Sequence, residues 1–166
     1  MSLSITALSA LVFAPLVWPI CLWVAWSDMA RMRIPNRAVA ALFVVFVVLA
    51  PFVMPFDEYL WRFAHLGIFL GIGILLNAAG AVGAGDAKFA AAAAPFLVLG
   101  DLRFLMVLFA ANLLGAVTAH RLVRLTPLRN LAPHWESWSR GWDFPMGLSL
   151  GATLAAYLGF GIFFGR

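Results

Sequence analysis

The chain has 166 residues, 64% of them hydrophobic and 11% charged. A soluble globular domain carries roughly 25% charged residues, so these proportions exclude an ordinary soluble fold and predict an all-α, polytopic membrane protein, one embedded domain over residues 1–166. The net charge of +4 rests on basic residues spread over short connectors; no contiguous basic face is evident, which argues against a nucleic-acid partner and for topology determinants.

A helix needs about 20 apolar residues to cross a bilayer. Residues 5–26 predict the first span, with Pro15 and Pro19 as kinks. The stretch lacks a basic n-region and a cleavage site, so it is expected to be a span rather than a signal peptide. Cys21 within it reads as a small buried hydrophobe. The polar, basic "SDMARMRIPNR" follows, then a second span over 38–54. After the acidic turn "PFDEY", residues 60–79 predict a third span, softened by Gly67, Gly71 and Gly73. "GAVGAGDAK" interrupts. The fourth span, residues 89–99, has only eleven residues, about 16 Å of helix against a core of about 30 Å; its helix is therefore expected to begin near Asp86. "GDLR" turns the chain into a fifth span over 104–123, and a longer polar segment leads to a sixth over 144–164. Trp135, Trp138 and Trp142 are expected to form an interfacial belt.

Three connectors hold eight of the eleven basic residues: Arg31, Arg33 and Arg37; Lys88; and Arg121, Arg124, Arg129 and Arg140. They are separated by pairs of spans and so share one side, which the positive-inside rule makes cytoplasmic. The opposite side, with Asp57, Glu58, Arg62, Asp101 and Arg103, is nearly neutral. About six spans with both termini outside the cytoplasm follow, and Asp28 and Asp86 fall on the same, cytoplasmic side.

A carboxylate at a membrane boundary needs a partner or a function. Two facing carboxylates can share one proton and hydrolyse an amide without metal or covalent intermediate, one taking a proton from water and the other giving one to the leaving group. Gly83 and Gly85 would let backbone approach a helix or an extended substrate, and alanines 90 to 94 would permit close packing. Bland alternatives stand beside this: Asp28 paired with a nearby arginine, Asp86 paired with Lys88 or capping its own helix. His65, His120 and His134 are far apart and form no metal-binding spacing, and no nucleotide-binding glycine pattern is present. No metal or cofactor is expected.

At these residues the sequence resembles a family. "GAGDAK" resembles the Gly-x-Gly-Asp signature of type IV prepilin peptidases, a signature shared with presenilin-like proteases. "SDMARMRIPN" resembles the family's first-aspartate segment, and "FPMGLSLGA" its C-terminal proline–glycine region, where Pro145, Gly147 and Gly151 match. The order is the family's, and the resemblance covers nearly the whole chain. It implies a catalytic pair Asp28 and Asp86. Gly83, Gly85 and Lys88 would shape the second aspartate's loop, and Ile34, Pro35 and Asn36 the turn beyond the first. Pro145 and Gly147 would line the same region. It further implies cleavage of a short basic leader from prepilins or pseudopilins at the inner membrane's cytoplasmic face, with the pilus assembly machinery and membrane lipids as surroundings. Length points to the short branch serving Flp-type (Tad) pili. Longer relatives methylate the new N-terminus and carry a cysteine-bearing domain between the first spans; this chain has no such insertion, so methylation is not expected. "FPMG" departs from relatives with an aromatic before the glycine.

Two other classes compete. Paired membrane carboxylates also suit a small transporter or proton channel, which would continue polar residues toward the outer face. A noncatalytic pilus-assembly subunit would tolerate conservative replacement of both aspartates.

Overall fold

The computed structural model describes residues 2–141 and 143–166. Six helices follow the apolar segments: α1 (Ala7–Arg31), α2 (Asn36–Leu49), α3 (Phe56–Ala78), α4 (Ala84–Ala93), α5 (Leu102–Arg124) and α6 (Met146–Phe164). Among the described residues, four are long and apolar enough to cross a membrane: α1, α3, α6 and α5 counted from Leu99. The molecule is a multi-pass membrane protein with two shorter apolar helices, α2 and α4, rather than six full-length spans. Prolines set both short lengths. Pro51 lies in a 3₁₀ turn, Ala50–Phe52, that ends α2, and Pro95 in another, Ala94–Phe96, that ends α4. Proline lacks the N–H needed to continue a helix. α4 begins at Ala84, with Asp86 in its first turn, as the shortage of apolar residues required; it ends before residue 99, where the sequence pattern alone had carried it.

α1 and α6 form the centre of the bundle. Their seam is built from small residues: a Cβ on Gly151 would come within 3.0 Å of the Cys21 carbonyl, and one on Gly161 within 2.8 Å of Ala10 Cβ. Close backbone approach of this kind replaces the hydrophobic drive that lipid does not supply between helices. Gly73 serves the same purpose between α3 and α4, where an added Cβ would meet Ala87 Cβ at 2.8 Å. Cys21 is buried against α6. Aromatic side chains fill the interior, with Phe96 edge-on to Phe13 and Phe46 at centroid distances of 4.9 and 5.3 Å.

The connectors sort to two ends. At one, the Leu3 N–H donates to the Phe164 carbonyl, Ser9 Oγ to the Val53 carbonyl, and the N–H groups of Ser4 and Ile5 to the Asp101 carboxylate. Both termini, the α2–α3 connector and the α4–α5 connector therefore share that end. The three arginine- and lysine-bearing connectors lie at the other, with Asp28 and Asp86.

Candidate active site

The end of α1 positions Asp28. The helix stops at Met32, which takes a left-handed conformation (φ 50°, ψ 40°) and returns its N–H to the Asp28 carbonyl at 2.8 Å. Glycine usually occupies such a position. Here the turn is held by Ser27, whose hydroxyl donates to the Arg33 carbonyl at 3.0 Å. The chain thus folds back at once, and each member of Ile34–Pro35–Asn36 has a task. Ile34 rests on Gly85. Pro35, at φ −67°, sits before the first turn of α2 and offers its carbonyl to Ala38. Asn36 accepts a hydrogen bond from Lys88 Nζ at 3.4 Å. The turn after the first aspartate therefore grips the loop of the second from two sides.

Three glycines are explained by what a side chain would strike. On Gly83 a Cβ would lie 2.7 Å from Asp86 Oδ2, because the carboxylate folds back over the start of its own helix. On Gly85 it would press Ile34 Cβ at 3.3 Å, and on Gly147 it would meet Asp28 Cβ and Oδ2, both at 3.0 Å. Gly147 also bonds the carboxylate it adjoins: its N–H donates to Asp28 Oδ2 at 2.7 Å. That N–H belongs to the first turn of α6, opened by Pro145, where backbone donors have no helical acceptor and the dipole favours an anion. Asp86 likewise occupies the first turn of α4. Each carboxylate thus sits at the positive end of a helix.

Asp28 is buried and Asp86 half-buried. Both line a cavity of about 570 Å³, together with Ile34, Pro35, Asn36, Gly83, Gly85 and Lys88. Arg31 and Arg33 complete a cationic rim around the two acids. Pro145 is fully buried and, with Gly147, shapes the site from α6 behind Asp28. The catalytic and site-shaping residues that the family resemblance implied are therefore gathered at one end of the bundle.

The bland alternatives fare differently. Among the described residues the ion pairs join Arg62 to Glu58 and Arg140 to Glu136, so neither aspartate is neutralised by an arginine or by Lys88. Asp86 does turn back on the start of its own helix, so capping and cavity-lining coexist. For a relay toward the far end, α6 offers buried Ser149, Thr153 and Tyr157 at four-residue spacing. Thr153 donates to the Ser149 carbonyl and Tyr157 to Asp101, and the Ser149 hydroxyl has no hydrogen-bond partner among the described residues, so the three are not bonded to each other.

Two charged residues read from the sequence as ordinary loop-side charges are structural. Asp101 is buried and accepts from Ser4 N–H (2.6 Å), Ile5 N–H (3.0 Å) and the Tyr157 hydroxyl (2.8 Å), tying the N-terminus to α6. Arg62, also buried, donates to the Leu97 and Pro95 carbonyls that the proline break after α4 leaves without helical partners, while Glu58 balances its charge at 2.5 Å. Trp138 is stacked on His120 at 4.9 Å and donates to the Ala132 carbonyl, packing the α5–α6 connector onto α5. Trp135 stacks on Trp138, and Trp142 lies outside the described residues.

A family model described as the type IV leader peptidase family matches residues 16–120, a segment that holds both aspartates and stops short of Gly147. No curated protein and no solved structure matches the chain.

Proposed function

The chain belongs to the type IV leader peptidase family, and from that premise we propose that it is an aspartic endopeptidase in which Asp28 and Asp86 activate water to cleave the leader of a prepilin. The observation that carries this reading is the meeting of the two carboxylates, from different helices, on one cavity with glycine at each close approach. Two carboxylates in a low-dielectric site hold one proton between them. The ionised one takes a proton from water as oxygen attacks the scissile carbonyl. The protonated one gives its proton to the carbonyl oxygen; as the C–N bond breaks, the proton taken from water passes to the leaving amine and the acid recovers its own from the hydroxyl that becomes the new carbonyl. Both carboxylates face a helix N-terminus, but Asp28 alone accepts the buried Gly147 N–H, which favours its negative charge and assigns it the base role. Asp86 is then the acid.

The arginine-bearing end of the bundle is assigned to the cytoplasm of a bacterial inner membrane, supported by the basic excess of its connectors. The substrates are small proteins with a basic leader, a glycine and one apolar segment, and the Flp-type pilins are the class that the chain's short architecture suits. Between α1 and α2 only Met32–Pro35 intervene, so no domain is inserted there as in methylating relatives. Coexpression with candidate Flp-type prepilins, followed by N-terminal sequencing of the product, tests the reading. The expected product begins immediately after the leader's glycine. A full-length prepilin persisting beside abundant, folded protein contradicts it.

A further inference from the structure

Beyond the carboxylate cavity, the segment that follows α5 carries an unusual apolar surface. Leu125, Leu128 and Leu131 are 84%, 56% and 85% exposed. The last two lie in a 3₁₀ helix, Pro127–Leu131. Side chains three apart eclipse in such a helix, so Leu128 and Leu131 form one ridge, and Leu125 precedes it at the end of α5. The ridge is continuous with the bundle's exterior: Val107, Leu114 and Leu125 fall on one stripe at α-helical spacing, and the first two are also strongly exposed. The surface that meets acyl chains therefore does not stop at the end of α5 but runs on into the connector.

Cations accompany the ridge. Two adjoining surface cavities, of about 370 and 380 Å³, share Arg124 and Leu125; the first also takes in Arg121 and Gly141, the second Arg129 and Asn130. Arg124 Nη1 is fixed by donating to the Gly141 carbonyl at 2.9 Å, which holds the guanidinium against the segment. Apolar side chains on one side and arginines at their flank are the composition of a segment lying in the plane of a membrane interface.

We propose that Leu125–Leu131 lies in the interface of the leaflet at the arginine-rich end, with the leucine ridge among the acyl chains and Arg124 and Arg129 holding the phosphate of an anionic phospholipid. Guanidinium groups bind phosphate oxygens through paired N–H donors, and anionic headgroups supply the complementary charge. The bound lipid would anchor the connector that leads from α5 to Gly147 at the start of α6.

The test uses the full chain in nanodiscs. A bimane fluorophore on Leu128→Cys, in a Cys21→Ala background, is expected to be quenched by acyl-brominated phosphatidylcholine and shielded from iodide. Native mass spectrometry with equal phosphatidylglycerol and phosphatidylcholine is expected to retain the anionic lipid preferentially. That preference should fall about fivefold in Arg129→Gln and return in Arg129→Lys. Arg124→Gln should act in the same direction; if loss of its Gly141 bond unfolds the connector, Arg129→Gln alone carries the test. A fluorophore open to iodide overturns the proposal. So does shielding that appears only as protein concentration rises, which would mean a second copy on the ridge, or equal retention of the two lipids.

Discussion

The N–H of Gly147, in the first turn of α6, donates to Asp28 Oδ2 at 2.7 Å across the α1–α6 seam. One residue thus supplies both a hydrogen bond and the space in which the carboxylate lies. Gly147→Ala keeps the donor and fills the space, since its Cβ would stand 3.0 Å from Asp28 Oδ2. Displacing a catalytic group by about 1 Å costs about a hundredfold. Leader cleavage should fall by that order, and because the same Cβ would also stand 3.0 Å from Asp28 Cβ the melting temperature should fall as well, both measured on purified protein at matched amounts.

Gly83 and Gly85 should separate activity from stability. At Gly83 the added methyl meets the far end of the Asp86 side chain, which can swing aside; the fold survives and the carboxylate is misplaced. At Gly85 the methyl meets Ile34 Cβ at 3.3 Å, so the α1–α2 turn must give by a few tenths of an ångström. Gly83→Ala should therefore lose most of its cleavage at near-normal stability, and Gly85→Ala should lose stability while keeping more of its activity. Parallel thermal melts and cleavage assays read the two effects; the reverse order would contradict this account of the motif.

Asp101 and Tyr157 should matter for folding only. Tyr157→Phe removes one of three donors to a buried carboxylate, and a hydrogen bond to a charged group contributes about 1.5–3 kcal/mol. The variant should unfold more easily in a denaturant titration, yet cleave normally per folded molecule. Asp101→Asn should behave alike. Exposed Asp57, unlike Asp101, is the appropriate control for carboxylate loss.

Arg62→Met should loosen α4. The guanidinium serves the Pro95 and Leu97 carbonyls, and its loss leaves them buried without a donor, at about 1–3 kcal/mol. Because α4 carries Asp86, cleavage should fall together with stability, and Arg62→Lys should restore part of both. Full activity with normal melting in Arg62→Met would show that α4 is held by packing alone.

The aspartates, the Ile34–Pro35–Asn36 turn and Gly147 were legible because each belongs to a short local pattern, and hydropathy with charge placed them at one end of the bundle. Arg62, Asp101 and Tyr157 were not legible. Their roles arise from partners 33 to 97 residues away in sequence, and a buried arginine reads in sequence like one at a membrane edge. The lengths of α2 and α4 were misread for a related reason: an apolar run continues past Pro51 and Pro95, and hydropathy does not register the missing N–H that ends each helix.

On the proposed reading, Asp28 and Asp86 act as one catalytic unit. The direct measurement is the fraction of mature pilin after coexpression of a cleaved prepilin with Asp28→Asn, Asp86→Asn and the double variant, at equal membrane levels, with Asp57→Asn as control. An amide keeps the shape of the side chain but neither activates water nor exchanges the shared proton. Each single variant should abolish cleavage, and the double should be little worse than either, because residues acting as a unit are not additive. Asp57→Asn should cleave like the parent. Substantial mature pilin with Asp28→Asn or Asp86→Asn, in a protein that is inserted and folded, would contradict the account.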